Sequence, residues 1–296
     1  MFSKNLAFRR TKEEIVDSQL VPALFLELDS QKKPGWFPSA GMLADELRKK
    51  LPKEASSFRF PSSESILFAT AAVEMWLRAV HSFLISNSLE KASPIWSSIS
   101  GYYASHYVMR AFAHLHGHFL LRKRKIHVKI SHGKGKSFVC DVVKESNNEH
   151  TFYWKLVNSA PMFAQDCLFS DNNDPLLPTD SSHRGYANYW DHVNNFHDFI
   201  TLSEDYLIER IKRVSDLVTD SPTFPDHRKY PDLDSVHIVA YARIVRFRSY
   251  LDNLIGTRNK YWRYYRDPSW FTKYLDFQTM EPSPTATLAT VQVKQN

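Results

Sequence analysis

Apolar side chains recur at steps of three and four along the stretch from Ser235 to Arg266. This spacing gathers them onto one stripe of an α-helix, so the stretch is predicted to be a helix that faces the core. The stripe consists of Ala240, Ile244, Phe247, Leu251, Leu254 and Ile255. The same period predicts two more long helices, one from about Ser62 to about Ile85 and one from about Pro94 to about Leu121.

The period changes to two after the second of these helices. The segments Ile126–Ile130, Phe138–Val143 and Phe152–Val157 alternate in this way, and turns rich in Gly or Asn separate them. Such alternation is typical of strands, and short turns between strands favour antiparallel pairing. The sequence therefore predicts a mainly α fold: a helical bundle with a small antiparallel β insertion near residues 126–157.

The remaining segments divide the chain into three parts. Residues 1–60 are broken by several prolines and carry one predicted short helix near Ala40–Leu51, so we expect an N-terminal segment that wraps the fold. Residues 61–277 hold the helical domain, with further helical signals from about Arg184 and over Leu202–Leu217. Residues 278–296 have too few apolar side chains to bury and are predicted to be disordered.

Composition limits the class of protein. The formal net charge of +6 favours an anionic partner only where the cations cluster. Two cysteines, Cys140 and Cys167, are too few for a disulfide framework or for a tetrahedral zinc site, so we expect free thiols and no metal or cofactor. No secretory leader or membrane span is predicted, which favours a cytoplasmic protein without membrane contact.

Cations do cluster on the Ser235–Arg266 stretch. Arg243, Arg246 and Arg248 are predicted to lie off the apolar stripe, while Arg258, Lys260, Arg263 and Arg266 follow at the far end, against the single acid Asp252. Aromatic residues, among them Tyr261, Tyr264 and Tyr265, alternate with these end cations. This mixture suits contacts with RNA phosphates and stacking on bases, although aromatic residues at a helix end are equally ordinary core material.

The order of three motifs resembles HEPN domains, α-helical domains of prokaryotic toxin and defence proteins. Ser100–Gly117, SGYYASHYVMRAFAHLHG, resembles the tyrosine-rich second helix of that family. His183–Tyr186, HRGY, is similar to its His-containing helix start, and Arg258–Tyr265, RNKYWRYY, is similar to its terminal signature. The resemblance implies a HEPN-like helical bundle and RNA as the partner.

Active HEPN members carry Arg, a polar residue, three more residues, His, one residue and Tyr. Here Arg258, Asn259 and Tyr265 match, but Arg263 stands where the His would be. The resemblance implies a catalytic role for Arg258 and Asn259 in metal-independent RNA cleavage. Arg263 can hold phosphate but cannot accept a proton, so His183 is the predicted substitute base.

Two patterns outside this signature allow more than one interpretation. His106, Arg110, His114 and His118 repeat every four residues and form either a phosphate-binding face or a solvated or subunit-facing helix surface. His114 and His118 could also be half of a metal site, but no Asp or Glu lies at ligand spacing nearby, so no metal is predicted. The cationic run Arg122–Lys125, followed by Lys129, Lys134 and Lys136, is either a second nucleic-acid contact or a cap that complements the dipole of the preceding helix.

These patterns lead to competing hypotheses. The first is a HEPN-like RNA-binding protein or metal-independent endoribonuclease of a prokaryotic defence or toxin system, with Arg258, Asn259 and His183 catalytic. Arg263, Tyr265, Arg266, Arg246 and Arg110 would then contact the nucleic acid. The alternative is a catalytically inactive HEPN-type interaction subunit that pairs with a second copy or with a partner protein. An unrelated helical enzyme for a small anionic substrate is the third.

Overall fold

The computed structural model describes residues 12–30, 40–51, 57–90, 93–132, 137–145, 147–160 and 235–266, with the single positions 163, 168, 169, 209 and 212. Within these residues the fold is mainly α. Its helices are α1 Lys12–Ser30, α2 Ala40–Lys50, α3 Ser62–Leu89, α4 Pro94–Leu115, α5 Glu149–Asn158, α6 Ser235–Ile255 and α7 Lys260–Tyr265. The strands are β1 Ser57–Pro61, β2 His118–Leu121, β3 Ile126–His132 and β4 Ser137–Lys144.

Helices α3, α4 and α6 form the centre of the core. The largest side chains at their contacts, Trp76, Phe112 and Phe247, are fully buried. The Trp76 and Phe247 rings stack with centroids 6.3 Å apart, and Phe112 meets Phe247 edge-on at 4.9 Å. The apolar stripe predicted on the central stretch is confirmed for Ala240, Ile244, Phe247 and Leu251, which are fully buried, whereas Leu254 and Ile255 at its end are half-buried.

A polar contact links the same three helices. The Ser86 hydroxyl on α3 donates to the Ser97 carbonyl on α4, and the Ser97 hydroxyl donates to the Ser86 carbonyl, each over 2.6 Å. The Ser97 hydroxyl also lies 2.8 Å from Nε2 of His237 on α6. All three residues are buried, so these bonds satisfy groups that would otherwise be costly to remove from water.

The sheet is antiparallel throughout, in the order β1-β4-β3-β2. A small antiparallel sheet was predicted, but its two edges were not. One edge, β1, comes from the N-terminal segment, and the other, β2, lies where the sequence predicted the end of a helix. Helix α4 ends at Leu115 because Gly117 takes a left-handed conformation, with φ of 80°, that turns the chain into β2.

The predicted strand over Phe152–Val157 is wrong, because this segment belongs to α5. The Asn148 side chain caps the helix by accepting a hydrogen bond from the Thr151 amide over 2.9 Å. Phe152, Tyr153 and Val157 share one buried side of α5, which packs against α4 and meets the sheet where the Phe152 ring lies 4.8 Å from the His127 ring on β3. The Tyr153 hydroxyl accepts a hydrogen bond from the Leu120 amide over 3.1 Å, so α5 covers part of the β2 edge.

The N-terminal segment contributes more regular structure than its prolines suggested. Helix α2 confirms the predicted short helix. Helix α1 was not predicted, because Pro22 lies within it. Its side chains Leu20, Val21, Leu24 and Phe25 are almost fully buried, and this tertiary burial outweighs the local cost of the proline.

Helix α3 is the one described helix that is long and apolar enough to cross a membrane, judged by length and composition alone. Within the protein, 72% of its apolar window is buried, as in the core helix of a soluble protein. The helix predicted over Leu202–Leu217, the region from Arg184 and the tail 278–296 fall outside the described residues, apart from single positions.

Candidate functional site

The corner between α6 and α7 holds most of the residues predicted to bind RNA. Helix α6 ends at Ile255, and Gly256 follows in a left-handed conformation with φ of 75°. Asn259 then caps α7, its Oδ1 accepting a hydrogen bond from the Trp262 amide over 2.9 Å. The predicted continuous stretch is therefore two helices joined by a turn, because a left-handed glycine and a capping asparagine lie between them.

Arg258 lies in this turn and is exposed. In a continuous helix over Ser235–Arg266, Arg258 would follow Leu254 on the core-facing stripe and would need a buried partner. The helix ends three residues earlier, at Ile255, so the stripe does not reach Arg258. Arg258 is therefore accessible to a ligand without any rearrangement of the core.

Asn259 is engaged by the fold. Beyond its cap on α7, its Nδ2 donates to the Phe25 carbonyl on α1 over 3.3 Å. The neighbouring carboxylate of Asp29 accepts the Lys260 amide over 3.1 Å and the Tyr261 amide over 3.0 Å. These bonds attach α7 to α1, and the Asp29 carboxylate occupies the first amides of α7, where a phosphate would otherwise bind.

The inner side of α7 is part of the core. Trp262 is fully buried, its ring centroid lies 5.2 Å from that of Trp76, and its Nε1 donates to Asp252 over 2.6 Å. Tyr261 is also buried, and burial raises its pKa. Tyr265 is half-buried against Tyr261, and burial, with Tyr264 beside it, raises the pKa of Tyr265 to about 12. These rings are structural.

Arg266 is neutralised within the fold. Its Nε and Nη2 donate to the two carboxylate oxygens of Asp252 over 2.9 and 2.6 Å, a bidentate pair in which both side chains are largely buried. Asp252, the single acid of this stretch, thus binds Arg266 and Trp262. Arg266 was predicted to contact nucleic acid, but its guanidinium is occupied.

Two arginines of α6 are buried instead of lying on an exposed face. Arg243 is 2% exposed and Arg246 is 7% exposed. The Arg243 Nε donates to the Leu168 carbonyl over 2.8 Å, and its guanidinium lies 4.9 Å from the Trp154 ring centre. The expectation that these cations lie off the core is wrong, and Arg246 offers no exposed surface to RNA.

The histidine stripe of α4 is buried as well. His106 is 2% exposed and His114 is fully buried, so the expected solvated or subunit-facing surface is wrong. Helix α5 covers it: the His106 and His150 rings stack at 4.2 Å, and the Tyr102 hydroxyl lies 3.0 Å from Nδ1 of His150. Arg110, predicted to bind nucleic acid, pairs with Glu149 over 2.9 Å.

A chain of hydrogen bonds continues from α4 into the sheet. His114 Nδ1 bonds the His118 carbonyl over 2.9 Å, and His118 Nδ1 lies 2.9 Å from His127 Nε2. Burial, with Arg110 nearby, lowers the pKa of His114 to about 3, and burial lowers that of His118 well below its usual range. The imidazoles are therefore neutral at physiological pH.

His116 belongs to a different contact, with its Nε2 3.0 Å from the Tyr250 hydroxyl on α6. Burial, with Lys129 nearby, lowers the pKa of His116 to about 4. Arg110 and His116 have the spacing of an Arg, five residues and His, but they have separate partners, Glu149 and Tyr250. In the described ranges, no three His, Cys, Asp or Glu side chains are grouped so that they could hold a metal ion.

The exposed side of α7 remains. Lys260, Arg263 and Tyr264 occupy positions i, i+3 and i+4 and so share one face of the helix, and all three are exposed, Tyr264 to 48%. Within the described part of the chain, neither these two cations nor Arg258 forms an ion pair. We call Arg258, Lys260, Arg263 and Tyr264 the α7 basic face.

The sequence did not reveal the acids whose contacts decide which of the predicted cations stay exposed. Asp29 lies 231 residues before Lys260 in the chain, so no local pattern could pair them. Glu149 was likewise not connected with Arg110. Asp252 was visible as a lone acid among cations, and that contrast was the available signal for the Arg266 pair. His183 falls outside the described residues, so its distance from Arg258 stays untested.

No family model, curated protein or solved structure matches this chain. The resemblance to HEPN domains therefore rests on the three short motifs alone.

Proposed function

We propose that this chain is a HEPN-like RNA-binding protein that contacts single-stranded RNA through the α7 basic face. The observation that carries the proposal is the exposure of Lys260, Arg263 and Tyr264 on one side of α7, with the exposed Arg258 in the turn just before the helix. Phosphates bind to the cations, and an unstacked base packs on the Tyr264 ring. The HEPN resemblance supports RNA as the polyanion and a prokaryotic defence or toxin setting.

Binding is proposed without cleavage. Of the residues that the resemblance made catalytic, Asn259 has its amide engaged with Trp262 and Phe25. Arg263 keeps its proton at any workable pH and cannot act as a base. Of the matched pair Arg258 and Asn259, only Arg258 is exposed and able to hold a phosphate. These observations support the catalytically silent form of the module.

The test of binding compares two double variants of matched charge. Lys260→Ala/Arg263→Ala removes two cations from the α7 basic face. Arg48→Ala/Lys49→Ala removes two cations from α2, where both only form exposed pairs with neighbouring acids. Affinity for a fluorescent oligouridine is measured by anisotropy over a range of salt concentrations.

The α7 variant is expected to weaken binding and to lower the log–log salt slope by about 1.4, since each lost phosphate contact on a single strand removes about 0.7. The α2 variant is expected to keep the wild-type slope. Tyr264→Ala should lose about 1–3 kcal/mol of binding free energy, the usual value of one stacked base, while Tyr264→Phe keeps it. An unchanged slope in the α7 variant would exclude this face.

A cleavage assay separates the ribonuclease hypothesis from this proposal. Wild type, His183→Ala and Arg258→Ala are incubated with a mixed RNA pool in EDTA. The proposal expects intact RNA in every reaction. Cleavage by wild type that leaves 2′,3′-cyclic phosphate ends and stops in the His183 variant would replace it with a metal-independent endoribonuclease.

A further inference from the structure

The cationic run Arg122–Lys125 does not cap a helix. Helix α4 ends at Leu115, and strand β2 lies between that end and the run. The run instead forms a short 3₁₀ turn, Arg122–Arg124, followed by Lys125, between β2 and β3. Because a helix dipole acts only within the last turn, complementing the end of α4 cannot explain these cations.

Strand pairing brings a further cation to the turn. Lys144, at the end of β4, pairs with Ile126 in the register of β3 and β4. The Lys125 carbonyl accepts a hydrogen bond from the Glu145 amide over 2.8 Å, which fixes the end of β4 beside the turn. Arg122, Arg124, Lys125 and Lys144 are all exposed. We call these four residues the basic turn.

The two acids beside the basic turn have other partners. Glu145 Oε1 accepts the Asn147 amide over 2.8 Å and its side-chain Nδ2 over 2.7 Å. Glu149 forms its shorter ion pair with Arg110, over 2.9 Å, and a longer one with Arg122, over 3.6 Å, which leaves the Arg122 side chain 81% exposed. Arg124, Lys125 and Lys144 form no ion pair with a described acid. The turn therefore carries an excess of positive charge.

Lys125 also has an unfavourable backbone conformation. Its φ of 49° and ψ of 48° lie in the left-handed region, which glycine adopts without strain and which lysine adopts at a cost. The lysine side chain is exposed and adds nothing to the core. A strained position occupied by a charged residue favours a role in binding over a role in folding.

We infer that the basic turn is a second phosphate-contacting site for the RNA strand that binds the α7 basic face, an inference that depends on the proposed function. The burial of the apolar residues that flank the turn favours nucleic acid over a lipid surface as the partner. Leu121 is 1% exposed and Ile126 is half-buried, so neither flank offers an apolar side chain for insertion into a bilayer. The turn exposes guanidinium and ammonium groups without apolar side chains beside them, which suits contacts with a phosphate backbone.

Two sites on one strand imply a dependence on RNA length. A short strand occupies the α7 basic face alone, whereas a strand long enough to reach the basic turn makes the second contact as an intramolecular step and gains affinity. The shortest RNA that shows the gain in affinity gives the length of strand needed to connect the two sites. Removing the basic turn should therefore affect long strands only.

The experiment uses the full chain and a ladder of oligouridines that starts near the roughly 4–16 nucleotides covered by one small binding surface. The test variant is Arg124→Ala/Lys125→Gly, in which the glycine also relieves the left-handed strain, so loss of folding is not expected. Lys125→Arg, which keeps the charge, is the matched control. The α7 variant Lys260→Ala/Arg263→Ala is measured in parallel.

The test variant is expected to bind short strands like wild type and to lose about 1.4 from the salt slope on long strands. Wild-type behaviour of the test variant at every length would overturn the second site while leaving the α7 basic face intact. An equal loss on short strands would also overturn it, because the turn would then be the primary site. Loss in the test variant with none in the α7 variant would refute the proposed function. Binding of phosphatidylserine vesicles that requires the turn, with RNA unaffected, would show the partner to be a membrane.

Discussion

Replacing Gly117 by alanine tests how closely the end of α4 approaches the sheet. A Cβ at this position would lie 2.5 Å from Ile130 Cγ1 and 2.8 Å from the Ile130 carbonyl oxygen. The backbone cannot easily move away, because the Ile130 amide donates to the Gly117 carbonyl over 2.9 Å. The substitution therefore combines a left-handed alanine with a steric clash against a paired strand.

Gly256 supplies the matched control. Its φ of 75° is almost that of Gly117, 80°, but an added Cβ would meet nothing within 4 Å. An L-residue in the left-handed region costs about 1–2 kcal/mol, and alanine recovers about 0.4–1 kcal/mol by restricting the unfolded chain. We therefore expect Gly256→Ala to lower the free energy of unfolding by only about 0.5–1 kcal/mol.

Gly117→Ala carries the same backbone terms and an overpacking cost of about 1–3 kcal/mol, so its total loss should be about 1.5–4 kcal/mol. Urea unfolding followed by tryptophan fluorescence gives both losses from the shift in midpoint at constant slope. Asparagine, which tolerates left-handed backbone, should be nearly neutral at 256 but still damaging at 117. Equal losses for the two alanine variants would refute the close approach of Ile130.

Two further predictions concern charge and pH. Asp252→Asn leaves the partly buried guanidinium of Arg266 without its bidentate partner and should cost about 1–3 kcal/mol of stability in the same urea assay. Asp45→Asn, which breaks the exposed pair with Arg48, is the control and should cost less than about 1 kcal/mol. Equal losses would refute the structural role of Asp252. The pKa of His114 is about 3 in the folded protein, below its unfolded value of about 6.5. Its contribution to the free energy of unfolding is therefore complete above about pH 6.5. As the pH falls towards the native pKa, this contribution decreases by about 1.4 kcal/mol per pH unit. His114→Asn should therefore make the decline in stability between about pH 6.5 and pH 5 shallower by about that amount, and an unchanged slope would show that His114 is not buried in its neutral form.

The parts of the fold that could be predicted are those in which one chemical pattern dominates a long segment. Helices α3, α4 and α6 carry apolar residues over five turns or more, and their existence follows from that pattern. The end of α4 could not be placed, because the pattern of His118–Leu121 fits a helix and a buried strand equally well. Gly117 was the local signal for the break, and its left-handed conformation makes the segment a strand.

Two short elements were missed for different reasons. In β1, Phe58 and Phe60 alternate with exposed Ser57 and Arg59, so the strand signal was present, but it was short and flanked by prolines. In α5 the run FYWKLV contains apolar residues at nearly every position, and both periods fit it. Only the Asn148 cap and packing beside the sheet decide for a helix there.

The candidate site shows why a count of cations overestimates a binding surface. A local sequence window shows the cations but not the acids that the fold brings to them. Arg266 pairs with Asp252, fourteen residues away, and Arg110 pairs with Glu149, which lies on a separate helix. Burial then removes Arg243 and Arg246 from the surface.

What folding leaves exposed is therefore a better guide to binding than the original cluster. Arg258, Lys260 and Arg263 remain on the α7 basic face because α7 is held by its inner aromatic side, by Asp29 through backbone amides and by the Arg266–Asp252 pair, so none of these three cations is needed to anchor it. The basic turn is similar: the Lys125 amide donates to the Arg122 carbonyl, the Lys125 carbonyl accepts from the Glu145 amide, and the side chains stay outside. In both places the backbone maintains the structure while the charges stay available, which is the arrangement that a phosphate-binding surface requires.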